Sequence, residues 1–154
     1  MQLLDSADGC PQLPGMSNHM RDPGVLLHTM PLELLQRRKC ATFSAYRGER
    51  PVQGLVVWHA GGAVAWLNRC PHWGIPLDAA SSEIFVEIDG VDRLRCASHG
   101  AEFAIDSGVC ESGPCEGDRL SPLRVEVDGN IVRVYAPAAL VMVGGDRLVV
   151  RTRR

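Results

Sequence analysis

The chain has 154 residues and a mass of 16.7 kDa, which suits one domain with an ordinary hydrophobic core. Its net charge of −2 at pH 7 and its lack of a basic stripe argue against nucleic-acid binding. No apolar run approaches the ~20 residues that a membrane-spanning helix needs. The first residues are acidic and carry neither a positive start nor a twin-arginine pair, so the sequence predicts a cytoplasmic protein.

The beginning of the chain is predicted to contain an arm and one short helix. Residues 1–28 are rich in glycine and proline, which is typical of a partly flexible or loosely docked arm. A helix is expected over residues 29–40, with Thr29 as its N-cap. Glu33 stands early in this segment and a basic run at 37–39 stands late, as the helix dipole favours.

From residue 41 onward the sequence alternates between apolar and polar positions and predicts an all-β chain. Hairpins are expected where a glycine-containing turn separates two such segments. Three of them pair 55–58 with 63–67, 84–88 with 91–95, and 123–127 with 131–135. The main domain is therefore predicted over residues 41–137, and a C-terminal β-hairpin tail over 138–154.

Two short segments each place a cysteine close to a histidine, and they are Cys70-Pro71-His72 and Cys96-Ala97-Ser98-His99. A single tetrahedral zinc usually takes ligands from pairs spaced by two to four residues, whereas only one residue separates Cys70 from His72. Binding both Cys70 and His72 to one ion would strain so short a turn. This strain disappears if two sulfide-bridged irons share the ligands, with both cysteines on one iron and both histidines on the other. That arrangement is the Rieske type of [2Fe-2S] centre.

The neighbouring residues strengthen this interpretation. The chain resembles the Rieske iron–sulfur domain over about residues 43–137, in the runs Cys70-Pro-His-Trp-Gly74, Cys96-Ala-Ser-His-Gly-Ala-Glu-Phe103 and Ser112-Gly-Pro-Cys-Glu-Gly117. The resemblance implies a small antiparallel β-sandwich with both ligand loops at a cluster-binding tip. It also implies that a third loop, 112–117 with Pro114, covers the cluster. In this family the [2Fe-2S] ligands would be Cys70, His72, Cys96 and His99.

One departure from the family is the 23-residue separation between His72 and Cys96, which is longer than usual. Segments 84–88 and 91–95 flank Asp89-Gly90, a strong signal for a tight turn. We therefore expect an inserted hairpin that lengthens two paired strands and leaves the ligand geometry unchanged.

The same loops indicate a low-potential member of the family. High-potential members join the two ligand loops by a disulfide and place serine and tyrosine hydroxyls just after the second histidine. Here the loops lack the extra cysteines, and the hydroxyl positions hold Ala101 and Phe103. Missing donors leave the sulfur atoms more electron-rich, so we expect a reduction potential of ~ −150 mV rather than ~ +300 mV.

The remaining cysteines and histidines are weaker signals. Cys110 and Cys115 bracket the third loop and could form a pair, supplement a zinc site or be unrelated, although reduced, partly buried thiols are favoured. No role is readable for Cys10, Cys40, His19, His28 and His59. For the four ligand candidates, a structural zinc site or ordinary core burial stays open as an alternative.

The expected function is a soluble ferredoxin that takes one electron from a reductase and delivers it to a terminal oxygenase or other oxidoreductase. It would be a carrier and not an enzyme, because the sequence shows neither a second iron site nor a GxGxxG nucleotide motif. Transient docking is expected over His72 and His99, with Trp73 and Pro114 as apolar contacts, although Trp73 could instead be core packing. An accessory subunit of a larger oxidoreductase and a redox sensor are the alternatives.

Overall fold

The computed structural model describes residues 24–137, 140–143 and 147–150. The first elements are β1 (Val25–Pro31), α1 (Leu32–Arg38), β2 (Cys40–Arg47), β3 (Arg50–His59) and β4 (Gly62–Leu67). A group of short strands follows, namely β5 (Phe85–Ile88), β6 (Val91–Arg95), β7 (Glu102–Ala104) and β8 (Cys110–Ser112). The last strands are β9 (Pro122–Asp128), β10 (Ile131–Ala136), β11 (Leu140–Val143) and β12 (Arg147–Val150).

These strands form three antiparallel sheets, which confirms the all-β prediction. Six strands build one sheet in the order β1-β10-β9-β4-β3-β2, and four short strands build another in the order β5-β6-β7-β8. The strands β11 and β12 pair only with each other within the described residues, at the position predicted for the tail hairpin. None of the helices in the described part of the chain is long and apolar enough to cross a membrane.

The hairpin between the two ligand loops has the predicted turn. Strands β5 and β6 pair from Phe85 opposite Leu94 to Ile88 opposite Val91. The turn is the pair 89–90, whose two residues both have positive φ, 52° and 75°. Two left-handed residues in succession match the right-handed twist of the flanking strands, which is why an Asp-Gly pair is favoured there.

The N-terminal prediction needs correction where the described residues begin. Residues 25–31, predicted as the end of the arm and the start of the helix, form β1 and pair with β10. The helix is shorter than 29–40, because it begins at Leu32 after an extended Pro31. Thr29 is therefore a strand residue and not the N-cap. Pairing with a strand a hundred residues away provides the backbone hydrogen bonds, and local composition does not reveal such a partner. The rest of the predicted arm lies outside the described residues.

The six-stranded sheet separates two hydrophobic cores, and β3 is buried on both faces. Val56 packs into one core with Leu35 of the helix and Val132 of β10. Leu55 and Val57 point to the opposite face and pack into a second core together with residues of the four-stranded sheet. This alternation follows from the two-residue period of a strand. The second core also contains four cysteines, Cys70, Cys96, Cys110 and Cys115, so the candidate site is an extension of it.

Candidate metal centre

The four candidate ligands differ in how deeply they are buried. Cys70 follows β4 and is 1% exposed, and Cys96 follows β6 and is fully buried. His72 is half-buried and His99 is exposed. The two imidazole rings lie edge to face with their centroids 4.9 Å apart. The structure thus places the two cysteine sulfur atoms inside the core and the two imidazoles together toward the surface, where docking over His72 and His99 is expected.

The first ligand loop is closed by two backbone hydrogen bonds that begin and end at the cysteine. The N–H of Cys70 donates to the carbonyl of Ile75 at 2.7 Å, and the N–H of Gly74 donates back to the carbonyl of Cys70 at 2.7 Å. Gly74 has a φ of 72°, a left-handed conformation that side chains disfavour. A glycine is therefore favoured at this position of the turn.

The second ligand loop repeats the same turn. The N–H of Cys96 donates to the carbonyl of Ala101 at 2.8 Å, and the N–H of Gly100 donates to the carbonyl of Cys96 at 2.9 Å. Gly100 also has a positive φ of 74°. The equivalence is not evident in the sequence, since histidine stands two residues after cysteine in one loop and three in the other. Equivalent turns explain why both sulfur atoms face the core.

A buried asparagine that the sequence analysis missed holds the first loop in place. Asn68 is 5% exposed; its Oδ1 accepts a hydrogen bond from the N–H of Leu77 at 2.8 Å, and its Nδ2 donates to Asp78 at 2.7 Å. The carbonyl of Leu77 in turn accepts from the N–H of Ala97 at 2.8 Å. One side chain therefore ties the two ends of the first loop together and, through Leu77, connects it to the second loop.

The third loop packs against the second ligand loop, and its role as a cover of the cluster stays a prediction. A Cβ on Gly113, whose φ is 104°, would lie 2.8 Å from the Cα of Ala101. Behind this contact, the sulfur atoms of Cys110 and Cys115 lie 3.4 Å apart, and both cysteines are free thiols. They are 1% and 5% exposed, so they are more deeply buried than the sequence analysis expected.

The sulfur atoms occupy surroundings that disfavour an isolated negative charge. Burial raises the pKa of the Cys70 thiol, and the neighbouring Cys96 raises it further, while the N–H of His72 and the Cys115 thiol act in the opposite direction. Burial also raises the pKa of Cys115, to about 12, with further increases from its cysteine neighbours. Two adjacent thiolates in such a site need a cation to balance their charge. The donor set therefore fits a bound metal group.

An unpaired nitrogen provides an independent indication. The Nδ1 atom of His72 is buried and has no hydrogen-bond partner. Such orphan atoms are rare in proteins and are explained when the atom binds an ion or another group. Within the described ranges, no three His, Cys, Asp or Glu side chains surround a position for one metal ion. The donors are instead divided into an inner sulfur pair and an outer imidazole pair, and this division suits two irons.

An exposed aromatic side chain lies over the histidines. Trp73 is 69% exposed, and its ring centroid is 4.6 Å from that of His99 and 5.3 Å from that of His72. The alternative that Trp73 is core packing is therefore wrong. Pro114 of the third loop is also exposed. We call the four residues Trp73, His72, His99 and Pro114 the tip surface.

The cysteines and histidines without a predicted role have ordinary surroundings where they are described. Cys40 is half-buried. Burial raises the pKa of its thiol to about 12, and the negative charge of Asp78 contributes to this increase. The ring of His28 stacks on that of Phe43 with the centroids 4.6 Å apart. The Nδ1 atom of His59 lies 3.6 Å from a carboxylate oxygen of Asp92. Cys10 and His19 lie outside the described residues.

Comparison with known proteins agrees with this geometry. The family model of the Rieske [2Fe-2S] domain matches residues 32–136. The chain belongs to the Rieske [2Fe-2S] domain family. This membership shows that the bound group is a [2Fe-2S] cluster, the cofactor expected from the sequence.

Individual relatives are more distant. Oxidoreductase NdmD of Pseudomonas putida is 30% identical over 83 residues, which are 53% of this chain and 13% of NdmD. The chain therefore spans a small part of that relative. The ferredoxin of carbazole 1,9a-dioxygenase from Nocardioides aromaticivorans IC177 has a TM-score of 0.57 and 20% identity, covering 73% of this chain and 99% of the ferredoxin. A chain from the complex of reduced oxygenase and oxidized ferredoxin in carbazole 1,9a-dioxygenase has a TM-score of 0.54 and 22% identity. This match covers 72% of this chain and 93% of the other. At these identities the structural likeness shows the fold alone.

Replacing Asn68 by alanine is expected to shorten the lifetime of the cluster. The change leaves the buried N–H of Leu77 without its partner, a loss of about 1–3 kcal/mol, and it frees the first loop at both ends. The measurement is the decay of the visible absorption of the cluster in the presence of an iron chelator. Ser81→Ala, which removes an exposed hydrogen bond to the N–H of Glu83, is the matched control. Equal decay rates in the two variants would contradict the role of Asn68.

Proposed function

We propose that this protein is a carrier of single electrons whose cluster is held by Cys70, His72, Cys96 and His99. In this proposal it accepts an electron from a reductase and delivers it to a terminal oxygenase or other oxidoreductase. The observation that supports it most is the sorting of the donors, with buried sulfur atoms and imidazoles that lead to the surface. A cluster placed this way is protected from solvent on one side and accessible to a partner on the other.

When bound, the cluster supplies a one-electron couple, since one of its two irons changes between the ferric and ferrous states. The chain's own residues restrict movement during this change. The two equivalent turns fix Cys70 and Cys96 through four backbone hydrogen bonds of 2.7–2.9 Å. Leu77 and Phe103, both fully buried, belong to the core around these cysteines and exclude water from the sulfur side. Little rearrangement of the polypeptide is therefore needed when the charge changes.

The surroundings of the sulfur atoms support a potential at the low end of the Rieske range. Ala101 and Phe103, the positions at which high-potential members carry hydroxyls, are fully buried and offer no side-chain donor. Neutral imidazoles from His72 and His99 still reduce the negative charge of the site relative to four thiolates. We therefore place the potential near the lower limit for Rieske centres and above that of an all-cysteine cluster.

The tip surface is the proposed docking site for redox partners. An indole with two thirds of its area exposed is a large apolar contact, and aromatic residues are enriched among the energetically important positions of interfaces. Its position against both imidazoles brings a docked partner directly to the histidine side of the site. A contact centred on so few residues would be small and transient, as electron-transfer complexes are. A ferredoxin of similar fold that works with an oxygenase supports the proposed class of partner.

A second candidate function is that of a Rieske component built stably into a larger oxidoreductase. The observation that favours it is the match to NdmD, of which this chain corresponds to only 13%. Isolation from the native source distinguishes the two. A cluster-containing chain that elutes alone supports the carrier, and a second chain in constant ratio supports the larger assembly. The cytoplasmic location stays a prediction, which cell fractionation would check.

Replacing His72 by cysteine tests the ligand assignment. A thiolate adds negative charge to the site, so the reduction potential should fall and the electron paramagnetic resonance spectrum should change, while the protein remains folded. Potentiometric titration followed by this spectroscopy is the measurement. His59→Cys, which introduces a thiol beside Asp92 and outside the candidate ligand set, is the control. An unchanged potential in the His72 variant would show that His72 is not a ligand.

Replacing Trp73 by alanine tests both electron delivery and the docking site. The reduced protein is mixed with an oxidised Rieske oxygenase component, and the second-order rate of electron transfer is measured by stopped flow. We expect about a tenfold lower rate, which corresponds to ~1.4 kcal/mol of docking free energy, with an unchanged reduction potential.

Leu26→Ala removes another half-exposed apolar side chain, on β1 of the six-stranded sheet, and serves as the control for the Trp73 variant. Its rate should equal that of the unmodified protein. If both variants transfer electrons at the unmodified rate, partners do not dock over Trp73. If the unmodified protein reduces no acceptor, electron delivery itself fails as the proposed function.

A further inference from the structure

Two buried thiols in the third loop have no part in the ligand set, yet they lie directly beside it. Cys115 donates a hydrogen bond to the sulfur of Cys110 at 3.4 Å, and the thiol of Cys110 donates to the carbonyl of Ser112 at 3.2 Å. Cys115 also interacts with Cys70, since it lowers the pKa of the Cys70 thiol while Cys70 raises that of Cys115. The three cysteines belong to the same buried cluster of side chains. A ligand sulfur and a free thiol therefore lie in the same dry environment.

The thiol hydrogens available at Cys110 and Cys115 determine which sulfur is the donor toward Cys70. A thiol has one hydrogen to donate, and that of Cys110 is directed to a backbone carbonyl. When Cys70 is a thiolate, the only hydrogen available between the three sulfur atoms is therefore that of Cys115. It has two possible acceptors, the neutral sulfur of Cys110 and the sulfur of Cys70. Once Cys70 binds iron as a thiolate, it is the charged acceptor, and hydrogen bonds to charged groups are about twice as strong as neutral ones.

We propose that Cys115 donates an S–H···S hydrogen bond to the ligand sulfur of Cys70 and thereby raises the reduction potential of the cluster. Withdrawing electron density from a ligand sulfur stabilises the reduced state, because the added electron meets less negative charge. The proposal rests on the ligand role given to Cys70 above. Within that role it makes Cys115 a positioning residue that acts on the cluster through its ligand.

Backbone hydrogen bonds within the third loop hold the Cys115 donor in place. The N–H of Cys110 donates to the carbonyl of Asp118 at 2.7 Å, and the N–H of Asp118 donates to the carbonyl of Cys115 at 3.0 Å. The close approach of Gly113 to Ala101 fixes the same loop against the second ligand loop. Burial of both thiols excludes water, which would otherwise compete for the hydrogen and weaken the bond.

The donor compensates in part for groups that this chain lacks. Ala101 and Phe103 carry no hydroxyl toward the sulfur atoms. The other neighbour that lowers the pKa of Cys70 besides Cys115 is the backbone N–H of His72, which no side-chain substitution removes. Cys115 is therefore a side chain through which the potential of this site is adjustable without changing a ligand.

The experiment compares the reduction potentials of three variants with that of the unmodified protein, all purified without oxygen. Cys115→Val keeps a small apolar side chain, slightly larger than that of cysteine, but has no donor, and its potential should shift to a lower value. Cys115→Ser retains a donor, so its potential should lie above that of the valine variant. Cys110→Ala removes only the competing acceptor, so its potential should equal or exceed that of the unmodified protein.

A second measurement detects the hydrogen itself. After exchange into D2O, pulsed electron paramagnetic resonance of the reduced protein should show a deuteron coupled to the cluster. The signal should persist in Cys110→Ala and lose one component in Cys115→Val. This readout stays available in the unmodified protein and Cys110→Ala even if the valine variant fails to fold.

The outcomes separate failure of this proposal from failure of the proposed function. If the unmodified protein gives no Rieske signal, the ligand assignment fails first. If the signal is present and Cys115→Val has an unchanged potential, or if valine and serine shift it equally, Cys115 is not the donor. Peptide mapping that finds Cys110 and Cys115 joined as a disulfide in the native protein would also overturn the proposal, since neither sulfur would carry a hydrogen.

Discussion

Each candidate cysteine ligand stands at the start of a turn that is closed by two backbone hydrogen bonds, and the arrangement of the tip depends on these turns. A sulfur atom that faces the hydrophobic core brings its own backbone groups toward the interior, where they need hydrogen-bond partners, and the two turns provide these partners locally. In both loops the cysteine N–H and carbonyl are satisfied by residues four and five positions later. The same closure directs the following histidine outward, so one local geometry produces the division between buried sulfur and accessible imidazole.

The surrounding fold is arranged to keep the two turns together. Asn68 connects the ends of the first loop, Leu77 connects that loop to the second, and Gly113 brings the third loop against it. Each of these connections includes at least one backbone group, and the bond from Asn68 to Asp78 is between side chains. Rigid support of this kind suits a site whose task is to change charge by one unit without moving. The hydrogen bond proposed for Cys115 would adjust the potential of this site without changing a ligand.

Much of this organisation was predictable, and the exceptions have physical reasons. The Asp89-Gly90 turn and the ligand spacing are local features, and local sequence specifies them directly. Strand β1 was missed because its hydrogen-bond partner, β10, is distant in sequence and its flanking prolines and glycine suggested an arm. The role of Asn68 was missed because asparagine is common next to loops, and the sequence does not show that this one is buried. The hydrogen bond proposed between Cys115 and Cys70 joins positions 45 residues apart, and no spacing rule connects them.

The central claim is that two cysteines and two histidines of this chain hold a [2Fe-2S] cluster. The most direct measurement is electron paramagnetic resonance of the dithionite-reduced protein, purified without oxygen, together with iron and sulfide analysis. A Rieske signal with a low average g value, and two irons and two sulfides per chain, is the predicted result. One zinc per chain and no iron after anaerobic purification would contradict the claim.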